Sequence, residues 1–297
     1  MSGLRRVRVR VPLRVEFSGT RFREATLVEG PAGWGEVSPF PDYPCDPEVA
    51  EAAALEAATT AWPEPVRDRI RVAAAIPAVE PERAAQLAVA ATLGWLAPVT
   101  VKVKVGAGDD EGRVAAVREA LGHDARIRVD ANGRWDLDTA IHRLGRLGRY
   151  DLEFAEQPVA SLEDLAVLRR RVDVPVAADE AVQGVVDAKR LAALAAADVL
   201  VIKVQTAGGV AAGLAIAEAG GVPVVVSSLV ETSVGLAAGL ALAASLPGRP
   251  LASGLGTGAL LAGDVVADPL VPVAGSIAVR RPVPDPELLA RWAVQPG

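Results

Sequence analysis

The sequence is poor in the residues that most often carry chemistry. Its 297 residues include one cysteine, Cys45, and two histidines, His123 and His142, and only 4% are Phe, Trp or Tyr. A lone cysteine forms no intrachain disulfide and no Cys-x-x-Cys zinc or redox motif, which suits a reducing cytoplasm. His123 falls in a loop entering a strand and His142 in mid-helix, positions that argue against a Ser-His-Asp triad and a histidine-bearing zinc site. So few aromatics, with a net charge of −6 and no basic stripe, exclude a nucleic-acid partner. Apolar runs such as Val234–Leu246 fall short of the roughly 18 residues that span a bilayer, and Met1–Glu16 holds no apolar signal core. A soluble cytoplasmic protein with no membrane contact is expected.

Lysine is the most telling scarcity. Of 31 Lys and Arg residues only Lys102, Lys104, Lys189 and Lys203 are lysine, so Arg serves wherever a surface cation is enough. Lysine offers an ammonium that can shed its proton as a general base or form a Schiff base. Val101–Val105 reads Val-Lys-Val-Lys-Val, a strand with both ammoniums on one face and three valines on the other. Lys189, beside Arg190 on a helix, is expected in solvent.

The chain opens as a small α+β unit. Val7, Val9 and Val11 alternate with arginines in a strand with one wet face, and Ser18-Gly19 turns it toward a second strand near Phe22–Val28. After Gly33-Trp34-Gly35, a loop containing Pro39, Pro41 and Pro44 leads to Asp46-Pro47, the cap and first residue of a helix to about Thr60. From Ile70 on, strand-like runs alternate with Ala/Leu-rich helices. The runs are Val72–Ile76, Val99–Val105, Ile127–Ala131, Leu152–Ala155, Val174–Ala178, Val199–Ile202, Val222–Val226 and Pro250–Ala252. Unbroken strand–helix repetition with no glycine-rich fingerprint after the first strand predicts a closed parallel barrel rather than an open doubly wound sheet. The expected division is a capping unit at 1–66, a barrel at 67–264, and a Pro-rich tail at 265–297. The tail should pack back on the cap and end in a helix capped by Asp285-Pro286. Ala207-Gly208-Gly209 reads as a turn before a helix.

Polar residues end the barrel runs: Lys104, Asp130 with Asn132, Glu156, Asp179 with Glu180, Lys203, Ser227, and Ser253-Gly254. The first six are spaced 26, 26, 23, 24 and 24 residues apart. In a parallel barrel such ends share one face, which gathers three carboxylates between lysines. Carboxylates about 4 Å apart repel by roughly 4 kcal/mol at an effective dielectric near 20, so they need a cation. All-oxygen ligation by Asp130, Glu156 and Asp179 points to Mg²⁺, with Mn²⁺ able to substitute.

Lys-Val-Lys, Asp-Ala-Asn, Glu-Gln-Pro, Asp-Glu and Ile-Lys at these spacings resemble the muconate-lactonising subgroup of the enolase superfamily. The resemblance covers about Ile70–Val265 well and the two ends poorly. It implies a modified TIM barrel of (β/α)7β type, with an α+β capping domain formed by both chain ends. It also implies that Asp130, Glu156 and Asp179 bind Mg²⁺, that Lys104 is the acid/base and Lys203 faces it across a small carboxylate substrate, and that Lys102, Asn132 and Glu180 support them. The segments Ser227–Ser233 and Ser253–Leu261 resemble members that dehydrate a cyclohexadiene carboxylate through an enediolate. On that reading Ser227, Ser253 and the backbone N–H groups around Gly254 hold the substrate's acyl tail. N-acylamino-acid racemases and dipeptide epimerases share the lysines and the metal, but Ser253-Gly254-Leu255 replaces the epimerases' Asp-x-Asp. The segment Phe17–Arg23 is shorter than a substrate-closing loop of the subgroup, and Gln205-Thr206-Ala207 replaces its Pro-containing turn. A Schiff-base lyase without metal, using Lys104 or Lys203, is the alternative from another chemical class, and a non-catalytic binding barrel a third. Oligomeric state stays open.

Overall fold

The structure, a computed structural model, describes residues 3–17, 19–40, 43–248 and 251–294. Strands β1 (Arg5–Phe17), β2 (Thr20–Gly30) and β3 (Gly33–Val37) form an antiparallel sheet in the order β1-β2-β3. Ser18, in the expected turn, and Pro41, in the expected loop, lie outside the described residues. β3 is absent from the expectation, in which Gly33-Trp34-Gly35 has no strand and only precedes the Pro-rich loop. Its glycines serve packing instead. Helix α1 (Pro47–Thr59) lays Ala50, Ala53, Ala54, Ala57 and Ala58 on this sheet so closely that a Cβ at Gly35 would overlap the Ala54 carbonyl. Asp46 caps α1 by accepting from the Glu48 N–H, a contact typically worth about 1 kcal/mol, and Pro47 supplies the preset first turn.

The remaining elements alternate in order. They are β4 (Arg69–Arg71), β5 (Ala74–Ile76), α2 (Pro81–Thr92), β6 (Thr100–Lys104), α3 (Asp110–Leu121), β7 (Arg126–Asp130), α4 (Leu137–Leu147), β8 (Leu152–Glu156), α5 (Leu162–Arg169), β9 (Val176–Ala178), α6 (Val185–Leu194), β10 (Val199–Lys203), α7 (Val204–Ala207), α8 (Val210–Gly220), β11 (Val224–Ser227) and α9 (Ser233–Ser245). Strands β5 to β11 make one parallel sheet in sequence order. Val101, Val103, Ile127 and Val129 face outward into the helix-lined core, and α9 is buried on nearly every side. Phe154, Ala177, Val199, Val201 and Val225 form a separate cluster, and Arg128 lies over the Phe154 ring with Nη1 donating to the Ala252 carbonyl.

The barrel is completed differently from the expectation. Pro250 lies outside the described residues, and residues 251–254 form no eighth strand. Two isolated parallel bridges take its place, Val72 with Ser253 and Ser227 with Gly254, through the Gly254 N–H to the Val226 carbonyl and the Ala73 N–H to the Ser253 carbonyl. The first run also divides. Its lead-in, β4, pairs antiparallel with β12 (Ser276–Ala278) from the tail, and the parallel strand begins only at Ala74. The tail then returns to the first sheet. Asp285 caps α10 (Pro286–Trp292), Leu289 packs with Val9, Leu27 and Trp34, and the Val294 N–H donates to the Arg8 carbonyl.

Candidate active site

Strand pairing sets the site. Register pairs Lys104 with Asp130 and Asp130 with Glu156, so the polar residues that end β6, β7 and β8 sit side by side. Asp179 directly follows β9, while Lys203 and Ser227 end β10 and β11 and pair with each other. Period-2 geometry turns Lys102 and Lys104 inward from the valines between them. The result is one cavity of about 620 Å³ lined by Lys102, Lys104, Asp130, Asn132, Asp179 and Lys203, among others. Phe17, Gly19, Phe40 and Tyr43 of the N-terminal segment line it as well, so the short segment after β1 does reach the substrate side.

Every lysine of the cavity holds an acid. Lys104 Nζ donates to Asp130 Oδ2 and to Asn132 Oδ1, both at 2.7 Å. Lys102 Nζ lies 3.0 Å from the same Asp130 oxygen and 2.8 Å from Glu156 Oε1. Lys203 reaches both Asp179 oxygens and donates to the Tyr43 hydroxyl at 2.9 Å, and that hydroxyl donates to Asp179 Oδ1 at 2.7 Å. Asn132, in a left-handed conformation (φ 48) that Asn tolerates, passes the network on through Nδ2 to Glu180 Oε1 at 2.7 Å. Gln157, buried behind Glu156, accepts the Asp179 N–H at 2.7 Å and fixes that acid's backbone.

The acids carry more negative charge than the lysines satisfy. Burial works to raise the Asp130 pKa, but Lys102 and Lys104 overcome it and hold the group well below the usual carboxylate range. Glu156 shares Lys102 with Asp130, and burial, with the nearby charges of Asp130 and Asp179, pushes it up to about 7. Burial raises Asp179 too, against the opposing charge of Lys203. Burial alone would lower Lys102, yet Asp130 and Glu156 hold its pKa above the ordinary lysine value. Glu180 Oε2 is buried with no hydrogen-bond partner among the described residues. Hard oxygen donors, two of them resisting ionisation, and an orphaned carboxylate oxygen fit a hard divalent cation. In the present arrangement, however, no three His, Cys, Asp or Glu side chains among the described residues are gathered to hold a metal ion. Lys102 holds Asp130 and Glu156, while Lys203 holds Asp179.

Other expectations fare variously. Ser227 and Gly254 line the cavity, whereas Ser253 is buried outside its lining. The backbone N–H groups proposed to hold an acyl tail are already committed, Ser253 to the Arg71 carbonyl and Gly254 to that of Val226, because they close the barrel. His123, His142 and Lys189 are exposed and away from the cavity. Gly208 and Gly209, with φ of 92 and 130, form the expected turn. The N-terminus of α8 that they open is taken by an internal carboxylate, Glu56 accepting the Val210 N–H at 2.8 Å. Tyr43 is the residue that sequence reading missed. Its signals are its rarity, one of two tyrosines, and its place in the Pro-rich loop.

Comparison with known proteins identifies the family. The family description "Enolase C-terminal domain-like" matches residues 81–285, and "Enolase N-terminal domain-like" matches 8–58. The muconate lactonizing enzyme of Pseudomonas fluorescens superposes with a TM-score of 0.87 at 21% identity, covering 98% of each chain. The L-Ala-D/L-Glu epimerase of Bacillus subtilis gives 0.83 at 22%, covering 95% of this chain and 96% of that one. The chain therefore has the fold of the enolase superfamily, whose enzymes are typically dependent on a divalent metal. In sequence it is 50% identical over 293 residues to the o-succinylbenzoate synthase of Thermobifida fusca (strain YX), covering 97% of this chain and 91% of that protein. It is 45% identical to that of Mycolicibacterium smegmatis, covering 96% and 88%. The chain belongs to the o-succinylbenzoate synthase family within the enolase superfamily.

Proposed function

We propose that the chain is an o-succinylbenzoate synthase, a carbon–oxygen lyase of menaquinone biosynthesis. It removes water from 2-succinyl-6-hydroxy-2,4-cyclohexadiene-1-carboxylate to give 2-succinylbenzoate. The observation that carries the reading is the pair Lys104 and Lys203, on strands β6 and β10 with three strands between them, lining one cavity with Asp130, Asp179 and Glu180. Near full-length identity to proteins of that name supports it.

Asp130, Glu156 and Asp179 are the residues that would hold Mg²⁺, or Mn²⁺ in its place, and the bound ion would supply Lewis-acid stabilisation to the substrate's ring carboxylate, worth several kcal/mol. Lys104, as the neutral amine, takes the proton α to that carboxylate, and Asn132 Oδ1, already bonded to Nζ, keeps the nitrogen aimed as its charge changes. The electron pair left by the broken C–H bond enters the ring. Lys104 then returns its proton to the leaving hydroxyl on the same face, the C–O bond breaks, and water departs as the ring becomes aromatic. Lys203 remains an ammonium on the other face of the ring, an attraction of about 2 kcal/mol in a dry site. It is suited to that role, since its Nζ already sits 4.3 Å from the Tyr43 ring centroid. Lys102 compensates Asp130 and Glu156 from below, and Asn132 and Glu180 hold the Lys104 side of the network.

The partner is a small-molecule carboxylate and not nucleic acid, and the working location is the cytoplasm; no helix among the described residues is long and apolar enough to cross a membrane. The same reading assigns residues 1–66 to the cap, 67–264 to the catalytic barrel and 265–297 to a tail that completes the cap. Purified protein with Mg²⁺ should convert the diene to an aromatic product, followed by absorbance, and lose activity with chelator. Racemisation of N-succinyl amino acids without dehydration would move the assignment to the racemases, and borohydride trapping of a substrate adduct to a Schiff-base lyase.

A further inference from the structure

The cations of the cavity are not equivalent. Lys102, Lys104 and Lys203 each hold a carboxylate of the site. Arg134, in the loop after β7, lines the same cavity, yet among the described residues its side chain has no ion-pair or hydrogen-bond partner. Inward-facing arginines elsewhere are tied down, Arg113 to Asp110, Arg128 to Glu153 and Arg23 to the Val230 carbonyl. The Arg134 stem is nonetheless placed by packing. It lies over Gly106, just past β6, where an added Cβ would stand 3.4 Å from Arg134 Cδ and 3.6 Å from its Cβ. The exposed guanidinium therefore stands at the rim on the Lys104 side of the cavity.

We infer that Arg134 is the receptor for the substrate's second carboxylate, at the end of its succinyl chain. The inference rests on the synthase reading, which supplies a substrate with two carboxylates. Only one can sit among the acids of the floor. A second anion placed there would face Asp130, Glu156, Asp179 and Glu180 with every ammonium already engaged. The wall opposite gives Ser227, Ser228 and Gly254, which carry no charge, and the Ser253 and Gly254 N–H groups are spent on the barrel seam. At the rim, a carboxylate meets a planar guanidinium suited to two parallel hydrogen bonds, and neither ion is stripped of all its water. An exposed arginine at the mouth also draws a dianion toward a protein of net charge −6.

The test compares wild type, Arg134→Gln and Arg134→Lys, all with Mg²⁺, in two assays. Calorimetric titration uses 2-succinylbenzoate and 2-butyrylbenzoate, the latter with a methyl group in place of the terminal carboxylate. Steady-state kinetics use the diene. Wild type should prefer 2-succinylbenzoate by about 10- to 100-fold, the span of one charge-assisted bidentate contact. Arg134→Gln should erase that preference, leave 2-butyrylbenzoate binding unchanged as proof of an intact site, and raise KM by a similar factor with kcat little altered. Arg134→Lys should recover part of the loss. A preference that survives in Arg134→Gln, or is absent from wild type, overturns the inference while leaving the synthase reading to stand on turnover of the diene. An Arg134-dependent preference without any turnover has the opposite meaning, sustaining the anion receptor and removing the synthase reading.

Discussion

Deleting the Lys203 ammonium asks what holds the acids in place before metal binds. The Lys203 and Asp179 side chains are 5% and 3% exposed, and the ammonium reaches both carboxylate oxygens. In Lys203→Ala the Asp179 carboxylate keeps the Tyr43 hydroxyl and loses its only directly bonded cation among the described residues. Removing one partner of a buried pair typically costs about 3–5 kcal/mol. With an unfolding entropy of about 2.1 cal/mol/K per residue, a chain of 297 residues should then melt about 5–8 °C lower in EDTA. The loss has a definite pH sign. A carboxyl whose folded pKa is raised above its unfolded value of about 3.9 binds more protons when folded. Its penalty is therefore absent below the unfolded pKa and complete once the pH has risen through the folded one. Burial already raises Asp179, and loss of Lys203 raises it further, so the deficit should be smaller at pH 5 than at pH 8. Millimolar Mg²⁺ should close much of the gap by replacing the missing charge. Calorimetric melts of both proteins at the two pH values, with EDTA and with Mg²⁺, check this. An unchanged Tm in EDTA at pH 8, or a deficit indifferent to Mg²⁺, would refute the reasoning.

Three further outcomes are expected. Mg²⁺ at 100 times its dissociation constant should stabilise the wild type by about 2.7 kcal/mol, and Asp130→Asn, Glu156→Gln or Asp179→Asn should each abolish the increment in thermal melts. Lys104→Arg should fold normally by circular dichroism yet be as inactive as Lys104→Ala, because a guanidinium does not release its proton near neutral pH, whereas Lys189→Ala should match wild-type turnover. Glu36, on β3, accepts from the Thr232 hydroxyl and N–H and from the Gly235 N–H at the start of α9, and burial pushes its pKa up to about 7. Since that exceeds the unfolded value near 4.5, stability should fall as pH rises from 4.5 to 7, by at most about 3 kcal/mol, and Glu36→Gln should flatten this part of the Tm–pH curve.

Much of the site was legible because strand ends in a parallel barrel are a one-dimensional signal. Polar residues recurring every 23 to 26 positions after β-branched runs need no knowledge of loops or packing to be placed on one face, and the structure puts Lys104, Asp130, Asp179 and Lys203 on one cavity. The Val-Lys-Val-Lys-Val alternation likewise carries its own inside and outside. The caps at Asp46 and Asp285 were equally local, since a short acid before proline meets the first free N–H groups of its own helix.

Contacts between segments far apart in the chain were decided only in three dimensions. β3 exists because Gly35 lets α1 approach, and β4 because β12, more than 200 residues later, supplies its partner. The last strand position became a pair of bridges whose hydrogen bonds consume the N–H groups expected to hold substrate. Tyr43 reaches Asp179 across 136 residues, and the sharing of three lysines among the acids follows from side-chain packing in a narrow barrel. Period and spacing are properties of neighbouring residues, so the sequence by itself determined the order of the parallel strands and the shared face of Lys104, Asp130, Asp179 and Lys203. Which donor meets which acceptor depends on where remote segments come to rest, and that only the tertiary structure decided.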